Sequence, residues 1–188
     1  MNYWCKKGHL NMDQAKFIKE LLEEHKPEYA LETGFATGRS ASTVLTNCPS
    51  LHKLVSIDIN FNYIAPEGKI YQKLLERNFP HFSTIEQPSQ KVLHDTFFKE
   101  EFPNGIDWFM VDGDHSYNGC LFDLNTVVTY MNKNGIILVD DYKSGPPNGC
   151  AIPAVTKACD DFYKSYPFLE KTEWNMKGKG FCIFKIIS

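Results

Sequence analysis

Ala30-Leu31-Glu32-Thr33-Gly34-Phe35-Ala36-Thr37-Gly38-Arg39-Ser40 is the stretch that decides the fold, and Asp58 at the end of the next apolar run completes it. A short hydrophobic strand, Tyr29 to Thr33, runs into a loop with glycines four apart, and a helix over Gly38 to Thr46 follows. That is the pattern of a first strand-to-helix turn in a doubly wound α/β nucleotide site. Gly34 and Gly38 let the backbone pass where a Cβ would clash. The helix after them turns free N–H groups toward the crevice. Asp58 lies twenty residues past Gly38, where a carboxylate can take both hydroxyls of a ribose. A dinucleotide fingerprint would read G-x-G-x-x-G, but Ala36 and Arg39 break it. The loop reads E-x-G-x-x-x-G instead, with Glu32 just before the turn.

Outward from this stretch the chain alternates. A helix is predicted over Asp13 to His25, with Asn11 or Asp13 as its cap, then a second strand over Lys53 to Ile59 and a helix over Glu67 to Arg77. Phe82 to Glu86 reads as a third strand, followed by helical sequence from Ser89 to about Phe98. Ile106 to Val111 is strongly apolar and ends in Asp112-Gly113-Asp114-His115, with Asp114 a candidate cap for the helix Tyr117 to Met131. Gly135 to Val139 is a buried strand ending in Asp140-Asp141, and a Gly- and Pro-rich loop follows from Ser144 to Gly149. Ile152 to Tyr166 reads as a helix with Pro153 in its first turn. Phe168 to Asn175 and Gly180 to Ile187 form a hairpin about Met176-Lys177-Gly178-Lys179.

This predicts an α/β fold, a mostly parallel doubly wound sheet with helices on both faces and a closing hairpin. The whole of 1–188 reads as one domain, with 1–27 an N-terminal helical segment able to act as a lid over the 28–188 core. Glu32 to Gly38, Asp58, Asp112 to His115 and Asp140-Asp141 each follow a different strand, where ligands bind in such sheets. That convergence points to an active site.

Charge and composition narrow the partners. A net charge of −3, from 20 basic and 23 acidic residues, comes without the basic run that a nucleic-acid or membrane surface needs. No apolar stretch reaches the roughly 20 residues of a membrane span. The N-terminus lacks a signal-peptide pattern, so a cytoplasmic protein is the expectation. Six cysteines lie far apart with no C-x-x-C pair and read as reduced, packed thiols.

At this point the chain resembles the class I S-adenosylmethionine-dependent methyltransferases. It is most similar to the small-molecule branch, which includes catechol-type O-methyltransferases and carries a D-G-x-H-x-Y signature after its fourth strand. The matching pieces are Leu31 to Ser40, Ser56-Ile57-Asp58, Phe109-Met110-Val111-Asp112-Gly113-Asp114-His115-Ser116-Tyr117, and Gly135 to Tyr142. The likeness spans about Met12 to Ile187. It implies a Rossmann-like seven-stranded sheet ordered 3-2-1-4-5-7-6 with the last strand antiparallel.

The same resemblance assigns Glu32, Gly34 and Gly38, with Phe35 and Ser40 of that loop, to the methionine and ribose end of the cofactor. It gives Asp58 the ribose hydroxyls, lays Ile59 against adenine, and brings Ser89 to the adenine edge. Many relatives carry Gly-Asp-Ser or Gly-Asp-Ala there; this chain has Gln87-Pro88-Ser89. Asp112 is implied beside the methionine portion. Asp112, Asp140 and Asp141 match oxygen ligands of metal-dependent relatives, and three carboxylates suit Mg²⁺.

Methyl transfer from a sulfonium is an in-line displacement that rests mainly on positioning. A hydroxyl acceptor also needs its proton removed, which makes His115, beside Asp112, the candidate catalytic base. The implied function is methylation of a small-molecule acceptor at oxygen, on a sugar or phenolic hydroxyl, with S-adenosyl-L-methionine as cofactor and Mg²⁺ as helper. No nucleic acid or membrane partner is expected, and a homodimer is left open. Trp4 and His9 are weighed as lid residues against ordinary packing. The competing readings are a nicotinamide oxidoreductase, a catalytically silent cofactor-binding module and a carboxylate-rich metal hydrolase.

Overall fold

A computed structural model describes residues 10–62, 66–146 and 152–188. Seven strands form one sheet: β1 Tyr29–Thr33, β2 Lys53–Asp58, β3 Phe82–Glu86, β4 Ile106–Val111, β5 Met131–Val139, β6 Leu169–Met176 and β7 Lys179–Ile186. Their order is β3-β2-β1-β4-β5-β7-β6. The first five strands run parallel, and β7 enters antiparallel between β5 and β6. Order and direction are those implied by the resemblance. The helices are α1 Met12–His25, α2 Arg39–Asn47, α3 Gly68–Asn78, α4 Ser89–Val92, α5 Asp95–Glu101, α6 Tyr117–Val127 and α7 Pro153–Ser165.

Successive side chains of a strand point to opposite faces, and here both faces are buried. On β4, Phe109 and Val111 join the core under α4 to α7, while Trp108 and Met110 join the core under α1 to α3. β5 divides in the same way, Ile137 and Val139 against Ile136 and Leu138. This is why the central strands read as unbroken apolar runs. No described helix is long and apolar enough to cross a membrane.

Asn11, not Asp13, caps α1. Its side chain accepts from the Gln14 amide at 2.9 Å, and its own amide donates to Gln14 Oε1 at 3.0 Å. The helical stretch after β3 divides into α4 and α5, because His94 takes an extended backbone and its Nδ1 accepts from the Phe97 amide. The long helix expected to reach Met131 ends at Val127 with a further 3-10 turn, and β5 starts at Met131 instead of Gly135. The polar run Asn132 to Asn134 looks like a loop in sequence. It is an irregularity within the strand, where the register shifts between the pairs Ile106–Met131 and Trp108–Ile136. Ser116 caps α6 through its hydroxyl, at 3.0 Å from the Gly119 amide. Asp114, expected in that role, accepts instead from the Ser116 amide at 2.9 Å.

Cys48, Cys120, Cys159 and Cys182 are buried free thiols. Trp174 stacks on Phe17 of α1, with ring centroids 5.0 Å apart, and packs there as an ordinary aromatic. Trp4 and His9, and Pro147 to Gly149 of the loop after β5, lie outside the described residues.

Candidate active site

The site forms where β1, β2, β4 and β5 end. Gly34 has φ +91°, and a Cβ built on it would lie 2.0 Å from the carbonyl oxygen of Asp112. The turns after β1 and β4 therefore touch backbone to backbone, which only glycine permits. Gly38, with φ +73°, caps α2, and a Cβ there would meet the Phe35 ring at 2.4 Å. That ring is buried, edge-on to Phe61 and stacked on Phe82. Phe35, expected to line the cofactor, thus offers its backbone alone; its side chain supports the loop from below.

Asp58 faces this loop. Its Oδ2 accepts from the amides of Phe35 at 2.8 Å and Ala36 at 2.9 Å, and its Oδ1 accepts from Asn60 at 2.9 Å. Ala36 sits at φ +50°, a left-handed conformation that the hydrogen bond from its N–H to Asp58 helps to hold. Oδ1 keeps a lone pair beyond that bond. The adjacent Ile59 is 63% exposed, a large apolar side chain standing free at a strand tip. An acid with an open lone pair, followed by an uncovered apolar surface, has the chemistry to meet a nucleoside.

Glu32 is buried at the end of β1. Its carboxylate accepts from the Ser40 hydroxyl of α2 and from Ser56 of β2. Burial outweighs the two hydroxyls and pushes its pKa up to about 7, with Asp112 and Asp58 adding repulsion. Ser40 is thereby occupied with Glu32, and both act as a brace between strands and helix.

On the other side of the Gly34 contact, Asp112, His115 and Asp141 converge, with one ligand atom from each lying within 4.8 Å of the others. His115 Nε2 is 3.2 Å from Asp112 Oδ1 and 3.7 Å from Asp141 Oδ2. Lys179 Nζ approaches Asp141 Oδ1 at 3.8 Å. The hydrogen bond to Asp112 raises His115 to about 9, against the opposing effect of burial. Burial raises Asp112, and repulsion from Asp141 adds to this.

The three aspartates expected to act together do not present themselves equally. Asp140 Oδ1 is engaged, accepting from Gln14 Nε2 of α1 at 2.8 Å and from the Asp141 amide at 2.8 Å. Burial, then repulsion from Asp112 and Asp141, holds Asp140 well above the usual carboxylate range. His115 takes its place in the compact group. A set of two carboxylates and one imidazole fits a divalent cation, whose charge would relieve the crowding among these acids.

Two residues had no place in the sequence reading. Gln14 is fully buried and reaches the active strand end. Asp123 is fully buried on α6. The signal for it was its place on the helix face that carries Gly119, Cys120, Leu124 and Val127, an acid where the pattern calls for a core residue.

A family model described as a methyltransferase domain matches residues 31–142. The chain belongs to that family. Methyltransferases of this class I, S-adenosylmethionine-dependent kind share the sheet order seen here. An uncharacterized protein of Acanthamoeba polyphaga mimivirus is 27% identical over 173 residues, covering 89% of this chain and 76% of that protein. An O-methyltransferase from Bacillus cereus, solved with S-adenosylhomocysteine, superposes with a TM-score of 0.76 at 14% identity, over 97% of this chain and 84% of that one. The O-methyltransferase TomG from Streptomyces achromogenes, solved with S-adenosylmethionine, gives 0.75 at 15% identity, over 95% and 81%.

Proposed function

We propose that this methyltransferase binds S-adenosylmethionine across the ends of β1, β2 and β4 and methylates a hydroxyl oxygen of a small molecule. The observation that carries the reading is the contact of Gly34 with Asp112. It joins the nucleoside-side loop to the Asp112–His115–Asp141 group, so that donor and acceptor sites share one wall.

The sulfonium, when bound, supplies an electrophilic methyl group. The protein's part is to orient and to manage one proton. Asp58 would accept from ribose hydroxyls while keeping the Phe35 and Ala36 amides in place, and Ile59 would cover adenine. Asp112 and His115 would face the acceptor hydroxyl; in a metal-free arrangement His115 Nε2, raised to about 9 by Asp112 and so a base only in its unprotonated fraction, would receive the hydroxyl proton. In the alternative arrangement that same His115 nitrogen, with Asp112 and Asp141, would hold a divalent cation, which lowers the pKa of a coordinated hydroxyl so that its proton leaves to solvent. Relatives of known structure are O-methyltransferases by name, which supports oxygen as the methylated atom. The net charge of −3 without a basic run supports a small-molecule acceptor over a nucleic acid. Sugar and phenolic hydroxyls are the classes to try.

The test is calorimetry with S-adenosylhomocysteine, followed by methyl transfer to a panel of phenols and sugars, with Mg²⁺ and with EDTA. Micromolar binding and turnover on a hydroxyl support the reading. Failure to bind the nucleoside overturns it.

A further inference from the structure

Asp123 is an acid in a place built for a hydrocarbon. Its residue is fully buried, and neither carboxylate oxygen has a hydrogen-bond partner of normal length and angle. Thr33 Oγ1, at the tip of β1, is buried and equally without a partner. The Ser89 and Thr33 hydroxyls both lie near enough to Asp123 to pull its pKa down, although burial still lifts it to about 6. Three polar groups from β1, the start of α4 and α6 are therefore gathered in the interior without closing on one another.

The surroundings say what such a group is for. Thr33 directly precedes Gly34, and its Cβ lies 3.3 Å from where a Cβ on Gly113 would fall. Ser89 opens α4, a helix of four residues, and is half-buried. So short a helix fixes its own first turn poorly. Among the described bonds, Lys91 N to Pro88 O and Leu93 N to Ser89 O are local to it and tie it to nothing else. The segment that would meet adenine thus depends on an anchor from outside, and Asp123 is the polar side chain beneath it. A buried carboxylate without a hydrogen-bond partner opposes folding, so an acid here works against stability.

We infer that Asp123 is a positioning residue: from beneath the cleft it holds the Ser89 hydroxyl to the Thr33 tip of β1, and so sets the affinity for the nucleoside end of the cofactor. The inference rests on the reading of the cleft as an S-adenosylmethionine site. Binding closes the three groups on one another, because a seated nucleoside presses the Ser89 segment inward.

S-adenosylhomocysteine binding by calorimetry, paired with thermal unfolding, tests this on the full chain. Loss of binding by the unsubstituted protein sinks the cofactor reading and this inference together; the variants address the inference alone. Asp123→Leu is expected to weaken binding at least tenfold while its unfolding midpoint stays equal or rises. Asp123→Asn, which can still bond both hydroxyls, is expected to recover affinity to within threefold of the unsubstituted chain. A residue that merely supports the fold would lose stability and affinity together. An unfolding midpoint that falls along with affinity, or a folded Asp123→Leu that binds normally, overturns the proposal. If Asp123→Leu does not fold, Ser89→Ala and Thr33→Val are read instead. Each should weaken binding, and the pair should be non-additive; unchanged or strictly additive affinities overturn the proposal.

Discussion

Gly34 and Asp112 meet so closely that a single added carbon on the first would fall 2.0 Å from the carbonyl oxygen of the second. Gly34→Ala therefore faces a steric conflict with backbone, which has no flexible end to yield, and adopts a φ of +91° that L residues avoid. Crowding and strain of this kind cost about 1–3 kcal/mol each. The expected result is a lower unfolding midpoint and loss of S-adenosylhomocysteine binding in calorimetry. Normal affinity in a stable Ala variant would show that the two loops are free to part.

Asp58 carries two tasks, one of them visible in the hydrogen bonds to Phe35 and Ala36. Hydrogen bonds to a charged group contribute about 1.5–3 kcal/mol each. Asp58→Ala should weaken nucleoside binding by tenfold or more and also lower stability, since the left-handed Ala36 loses its support. Equal stability with lost affinity would leave the ribose role and remove the loop-holding one.

Glu32 makes stability depend on pH. Its folded-state pKa lies at about 7, above the ordinary 4.5. Such a group does no harm below about pH 4.5, where it is protonated in both states. Stability is then lost as pH rises through 7, and the loss is complete above that. A shift of this size corresponds to about 3 kcal/mol. Glu32→Gln, which can still bond Ser40 and Ser56, should be the more stable protein at pH 8, by up to that amount, with the gap closing toward pH 4.5. Urea melts at both pH values measure it; a gap that does not change with pH would refute the assignment.

The Asp112–His115–Asp141 group sets a metal prediction. Mg²⁺ or Mn²⁺ should raise the unfolding midpoint of the unsubstituted chain, because a ligand bound only to the native state stabilises it. Asp141→Asn should abolish that rise, and EDTA should remove turnover. Full turnover in excess EDTA excludes a metal role.

What was legible in the sequence was what periodicity and strand-end chemistry write plainly. The parallel strands announced themselves through apolar runs, and the acids at their tips through their positions after those runs. The hairpin at Lys177-Gly178 gave the reversal of β7. The start of β5 was hidden because Asn132 to Asn134 are polar yet lie in a strand irregularity, so a tertiary register shift overrode local pattern. Which acids would act together was hidden for a different reason. Asp140 and Asp141 are neighbours in the chain, but Gln14, more than a hundred residues away, decides that the first is occupied. The ring of Phe35 could not be assigned from the loop motif, since only the fold places Phe61 and Phe82 around it.

The bond from Gln14 to Asp140 ties the first helix to the carboxyl end of β5, beneath the proposed site. That helix cannot be trimmed away as an appendage: without it, a deeply placed acid just past the fifth strand would lose its only side-chain donor among the described residues. Enzyme shortened past His25 would then be misassembled at its working end, however well the remaining sheet held.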